Sequence, residues 1–112
     1  MPPPSQPATV TIAAGESLSG AVSLTSASLV LAIAPPDWTP ANISFQVSTD
    51  NVTFADLFDR NGVEVVRTFM PGTAIMVDPS VTEGSLYAKI RSGPRANPVP
   101  QDAQRTIMLG LL

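Results

Sequence analysis

The chain has 112 residues, nine acidic and six basic side chains for a net charge of −3, and neither cysteine nor histidine. That length accommodates one domain with its own core and not two. Without Cys or His it has no disulfide, no thiolate or imidazole metal ligand, no Ser-His-Asp or Cys-His nucleophile, and no imidazole proton shuttle near neutral pH.

Only 13% of the residues are charged, about half the usual share of a soluble domain, and Ser and Thr supply the polarity instead. Residues 1–59 contain no Lys or Arg; Arg60, Arg67, Lys89, Arg91, Arg95 and Arg105 all fall in the second half. So few cations neutralise little phosphate, so no nucleic-acid partner is expected. Little catalytic chemistry is left, and the chain reads as a non-enzyme that needs no cofactor.

Met1–Pro7 carries four prolines in seven residues. This segment is read as an extended Pro-rich arm ahead of a domain spanning residues 8–112, with a reach of about 3 Å per residue. Pro2, Pro3 and Pro4 are expected to dock on a neighbouring subunit. From Ala8 the pattern has period two, the mark of half-buried strands. Val10 and Ile12 alternate with Thr9 and Thr11; Val22 and Leu24 share a face, as do Leu29, Leu31 and Ile33 in the next run. The uncharged stretch Ala21–Ala34 ends at Pro35-Pro36, short of the ~20 residues of a spanning helix. It lacks the basic lead of a signal peptide, so a soluble protein without a membrane partner is expected.

After the loop Pro35–Pro40, Ile43, Phe45 and Val47 alternate with Ser44, Gln46 and Ser48. A turn at Ser48–Asn51 leads into a strand over Val52–Phe58 with a bulge near Ala55. Asp59-Arg60-Asn61-Gly62 predicts a hairpin in which Asn-Gly takes positive φ, and Val63–Phe69 returns. Pro71-Gly72 turns into Thr73–Val77. Leu86, Ala88 and Ile90 are then expected inside, with Tyr87, Lys89 and Arg91 outside. The Pro-rich loop Ser92–Asp102 precedes a last strand with Ile107, Leu109 and Leu111 on one face. About eight short strands with frequent turns and no helical period predict an all-β, antiparallel two-sheet sandwich, jelly-roll or immunoglobulin-like.

Tyr87, Lys89 and Arg91, with Arg95 in the following loop, form the main candidate for a partner-binding strip, because aromatics beside guanidinium groups favour interface centres. Trp38, the single tryptophan, either plugs one end of the sandwich or anchors a partner or sugar ring. The acidic run Asp50, Asp56, Asp59, Asn61 and Glu64 is read as turn-formers rather than a calcium loop. Aligning Gly62 with the glycine of an EF-hand puts Leu57 at the first ligand and Thr68 where the bidentate Glu belongs.

Two stretches, ISFQVSTDNVTFADLFDRNGVE (43–64) and LYAKIRSGPRANPVPQDAQRT (86–106), resemble short β-sandwich proteins encoded among the structural genes of tailed bacteriophages and prophages. The shared features are the SFQVSTD-x-VTF-x-DL hairpin, the KIRSG strand end, and a Pro-rich loop leading to QRT and a final apolar strand. The resemblance implies a virion structural protein, a capsid decoration or cement protein on the capsid exterior. It would bind the major capsid protein and other copies of itself, as a dimer or trimer. The VSTD-x-VTF turn is also similar to the S-x-D-G-x-W turn of discoidin-like, galactose-binding jelly rolls, with Asn51 for Gly and Phe54 for Trp. That similarity implies the alternative of a carbohydrate-binding or host-recognition module on the tail or baseplate; a tail or connector subunit is a further alternative.

Overall fold

A computed structural model describes residues 6–112. Nine strands follow in order: β1 (Gln6–Ile12), β2 (Val22–Ser23), β3 (Leu29–Ile33), β4 (Ile43–Ser48), β5 (Ala55–Asp56), β6 (Val66–Arg67), β7 (Ala74–Met76), β8 (Tyr87–Ser92) and β9 (Arg105–Leu111). A single 3₁₀ turn, Pro79–Thr82, is capped by Asp78, whose carboxylate accepts from the Ser80 amide. The described chain is therefore all-β, as the alternation predicts.

The strands form two antiparallel sheets, one in the order β1-β9-β3-β7 and the other β2-β8-β4, with β5 and β6 both pairing β4. Counted from its two ends, the chain folds back on itself. β1 pairs β9, β2 pairs β8, β3 pairs β7, and β4 pairs β5 and β6. This long antiparallel ribbon is rolled so that β9 also meets β3 and β8 also meets β4. The result is a jelly roll, which decides between the two sandwich types left open by the strand pattern.

The core lies between the sheets. Val10, Ile12, Leu29, Ala32, Ile107, Leu109 and Leu111 come from the four-stranded sheet, and Val22, Ile43, Phe45, Ala88 and Ile90 from the five-stranded one. Several local expectations are corrected. β1 starts at Gln6, so Pro7 belongs to an edge strand, where its missing amide costs no ladder bond. Pro2, Pro3 and Pro4 lie outside the described residues.

In β3 the register slips between Leu29 and Leu31, so Ala32 and Ala34 point inward while Leu31 and Ile33 turn outward. Leu86, expected inside, is 40% exposed. The strand predicted over Val52–Phe58 shrinks to β5, because the Asp50 carboxylate accepts from the amides of Val52 and Thr53 and withdraws them from any ladder. At this turn Asn51 takes a φ of 62°, a conformation Asn tolerates better than other side chains. Val63–Phe69 likewise shortens to β6, but the hairpin forms: Asp59 and Val63 close it, and Gly62 alone takes positive φ, with Asn61 remaining at negative φ.

The outward side of the four-stranded sheet is read directly from its register. One row runs Pro7, Gly110, Leu31, Met76 and the next Thr9, Met108, Ile33, Ala74, with Thr11 and Thr106 beyond. None of these side chains is ionisable.

Candidate functional site

The outward side of the five-stranded sheet is built differently. Its register sets Tyr87 opposite Ser48, Lys89 opposite Gln46, and Arg91 opposite Ser44, all on the side away from the core. Gln46 in turn lies opposite Asp56 of β5. Period two thus assigns Tyr87, Lys89 and Arg91 to the expected face, and the fold brings Arg95 to the same region.

Exposure separates these four residues. Tyr87 and Lys89 are half-buried, and the Arg95 side chain is 56% exposed. Arg91, expected to be free for a partner, is only 7% exposed, a correction that follows from what covers it. Its Nε donates to Ser44 Oγ at 2.9 Å, one Nη pairs with Asp56, and the other with Glu64 at 3.2 Å. The Ser44 hydroxyl in turn donates a hydrogen bond to the Gly93 carbonyl at 2.7 Å. Arg95 closes the group from above, its Nε on Asp56 Oδ2 at 2.9 Å and its amide on Glu64 at 2.8 Å. Two carboxylates thus face two guanidinium groups, and burial does not strand a charge.

The Arg91 guanidinium beside Asp56 holds that carboxyl below its usual range; Arg95 and Gln46 reinforce the effect against partial burial. Asp56 and Glu64 are therefore partners of Arg91 rather than turn-formers. Asp50 and Asp59 do cap turns: Asp59 accepts from the amides of Asn61 and Val63. The signal for the Arg91 cluster was present in part, since both acids lie in the run 50–64, but a sequence does not say which acid meets which base across 27 to 35 positions.

Two aromatics complete the face. Lys89 Nζ sits 4.4 Å from the Phe54 ring centroid, and the Arg95 guanidinium carbon 5.7 Å from that of Phe58, both in cation–π range. The accessible strip is therefore Tyr87, Lys89 and Arg95 alternating with Phe54 and Phe58, an amphipathic surface with two cations. Phe54 and Phe58 are additions to the expected set.

Trp38 does not belong to it. It is 2% exposed, packs edge-to-face on Phe69 at 5.2 Å, and donates its indole N–H to the Ala41 carbonyl at 3.0 Å. The expectation of a partner or sugar contact at Trp38 is corrected: it plugs the sandwich, and the sugar-stacking reading loses the residue on which it relied.

Near Trp38 lies a second polar cluster that sequence reasoning missed. Gln101, fully buried, accepts from the Thr39 amide and Arg105 Nε, and donates to the Thr39 carbonyl and Ser92 Oγ. Arg105 continues to Asp37 at 2.9 Å. This cluster pins the Pro-rich loop 92–102 to the loop after β3. Among the described residues every buried side-chain nitrogen and oxygen has a partner, and no group of three or more acidic side chains gathers where a metal ion would be held.

An open cleft of about 860 Å³ lies beside the β5–β6 hairpin, lined by Leu57, Arg60, Glu64, Arg67, Val81 and Glu83. Its charges are mixed in sign and Glu64 is already committed to Arg91. Comparison of the chain with family models, with curated proteins and with solved structures found no match.

Proposed function

We propose that this chain is a structural protein of a tailed-phage virion, a decoration or cement protein on the capsid exterior that binds the major capsid protein and stabilises the head. The reading is carried by the order and spacing of the SFQVSTD, KIRSG and QRT segments. The fold adds a physical sense to those segments. Ser44, Asp50, Arg91, Gly93 and Arg105 within them make the turns and buried polar bonds that hold the jelly roll rigid.

A clamp on a shell needs a stiff body with a contact face, and no moving or reactive part. The strip of Tyr87, Lys89 and Arg95 with Phe54 and Phe58 supplies a face of the composition that interface centres favour. Two solvent-reachable cations suit an acidic patch on the shell lattice. Repetition over many lattice sites then makes modest single contacts sufficient. The arm containing Pro2, Pro3 and Pro4 would add a tether to a neighbouring subunit.

The test is a cryo-EM map of the purified particle. Density for this jelly roll over the capsid lattice is the expected result. Density confined to the tail or connector would overturn the capsid assignment in favour of a tail subunit, and a particle without the chain would overturn the virion reading. In binding assays with isolated heads, Lys89→Glu should weaken attachment at least tenfold; Arg95 is left in place because its guanidinium pairs with Asp56. Arg91 is unsuitable for that purpose, since reversing it would break the fold.

A further inference from the structure

We infer that residues 58–64, the tip of the β5–β6 hairpin, form an acid-released flap: Glu64 latches it over Arg91, and loss of carboxylate charge lifts it and uncovers that arginine. The inference does not rest on the virion reading. At neutral pH the latch is shut and the body stays stiff.

The bonds of the hairpin separate a hinge, a flap and a latch. At the hinge, the Leu57 amide donates to the Phe45 carbonyl and the Val65 amide to the Leu57 carbonyl, each at 3.0 Å. Val65 is buried and Leu57 packs against the core, so this base is fixed. Within the flap, Phe58 bridges to Glu64, Asp59 and Val63 close the turn, and Gly62 donates to the Asp59 carbonyl. Those bonds are internal and travel with the flap.

The latch is narrow. Among the described residues, every hydrogen bond, ion pair and cation–π contact from 58–64 to the rest of the chain ends on one of two arginines. Glu64 accepts from Arg91 Nη at 3.2 Å and from the Arg95 amide at 2.8 Å, and the Phe58 ring meets the Arg95 guanidinium. On its other side the flap borders the open cleft toward Ser80, Val81 and Glu83, which gives it room to swing.

Charge supplies the force. A guanidinium keeps its proton at every pH of interest, and the buried Arg91 is balanced by Asp56 and Glu64. Protonating both acids leaves a lone cation under cover, with Arg95, which shares Asp56, as a second cation nearby. A buried unpaired charge is costly. Arg91 itself is fixed within β8, opposite Ser44 on one side and bridged to Leu18 on the other. The cover is the part that can move, and lifting it gives the guanidinium water.

No other charge takes over the balance. Gln46, which faces Asp56 from β4, is neutral, and Lys89 of β8 sits on Phe54. Asp59, Arg60, Arg67 and Glu83 line the cleft, and among the described residues none of them forms an ion pair with Asp56, Glu64 or Arg91. The sign follows from Asp56, whose carboxyl Arg91 holds below its usual range. Its hold on the closed form is complete above the ordinary value of about 3.9 and is lost as the pH falls through the lower folded value. The open form adds Arg91 to Lys89 and Arg95, so the outer strip gains a third cation in acid.

Arginine labelling of the full chain with phenylglyoxal at pH 8, read by peptide mass mapping, tests this. Asp56→Asn/Glu64→Gln carries the acid charge state up to that pH, and its Arg91 should react at least tenfold faster than that of the wild type. Arg105, equally buried but paired with Asp37, reports global unfolding and should not change. An Arg91 that stays protected overturns the inference, as does one that becomes reactive together with Arg105. The wild type gives a second reading without any substitution, through amide exchange followed by NMR from pH 6 to pH 2. The Arg95 amide, held by Glu64, should lose its protection before the Gly93 amide, held by the Asn42 carbonyl. Simultaneous loss, or none down to pH 2, would also overturn the flap.

Discussion

Arg91 spends its guanidinium inside the molecule. Ser44, Asp56 and Glu64 each receive one of its donors, and the two carboxylates have 20% and 17% of their side-chain surface in contact with solvent. Truncating Arg91 to Ala leaves both acids facing each other without their shared cation. Breaking a fully buried pair costs about 3–5 kcal/mol; partial access to water lowers the expectation here to about 2–3 kcal/mol, measurable by urea unfolding. Asp56 sets a pH dependence. Folding depresses its pKa, so its carboxylate stabilises the fold fully above the ordinary value of about 3.9, and that contribution is lost as the pH falls through the lower folded value. Unfolding curves at pH 3 and pH 6 should differ more for the wild type than for Asp56→Asn, and equal differences would show that other groups govern the acid limb. Period two placed Arg91 on the correct side of its strand, but could not show that the β5–β6 hairpin and the loop at Pro94-Arg95 would close over it. Side follows from the pleat, whereas burial depends on what arrives from elsewhere in the chain.

Individual elements are decided by where backbone amides find acceptors. β5 is two residues long because Asp50 captures the amides that would have extended it. The loop after β8 is the opposite case, an irregular segment held rigidly. Gly93 at its start has a φ of 87°, donates to the Asn42 carbonyl, and would set a Cβ 2.6 Å from the Asn97 carbonyl oxygen and 2.8 Å from the Val99 nitrogen. Gly62 has a similar φ of 76° but open space around it. The left-handed conformation alone costs an L side chain about 1–2 kcal/mol, so Gly62→Ala should lower Tm by roughly 4 °C. Gly93→Ala adds a backbone clash, and a fall of about 10 °C or more is expected. Similar Tm values for the two variants would refute the close packing of loop 92–102. The turn residues at both sites were legible in the sequence, and so was the hairpin at Asp59–Gly62. The register slip in β3 was not: Leu29, Leu31 and Ile33 have perfect alternation, and only pairing with β9 turns the latter two outward.

At the scale of the whole molecule, the jelly roll joins the two ends of the described chain, since β1 and β9 are neighbours through seven register pairs. Trp38 and Phe69 fill the core near the loop after β3, and Trp38→Ala should cost about 3–5 kcal/mol as a cavity variant. The loss should appear in thermal unfolding, while glycan arrays should show no Trp38-dependent binding; selective loss of a sugar ligand without loss of stability would restore the recognition role. The two outer faces divide the remaining surface, one uncharged and one carrying Lys89 and Arg95 among aromatics. The sequence by itself determined the class: alternation with frequent turns requires strands that bury one side, and missing Cys and His remove whole families of chemistry. It also marked Tyr87, Lys89 and Arg91 for an outer face, because side follows from local geometry. Only the tertiary structure decided the jelly-roll order, the burial of Trp38 and Arg91, and the charge-free outer face of β1-β9-β3-β7. Each of these depends on pairing between residues far apart in the chain, and period two is silent about which strand a given strand will meet.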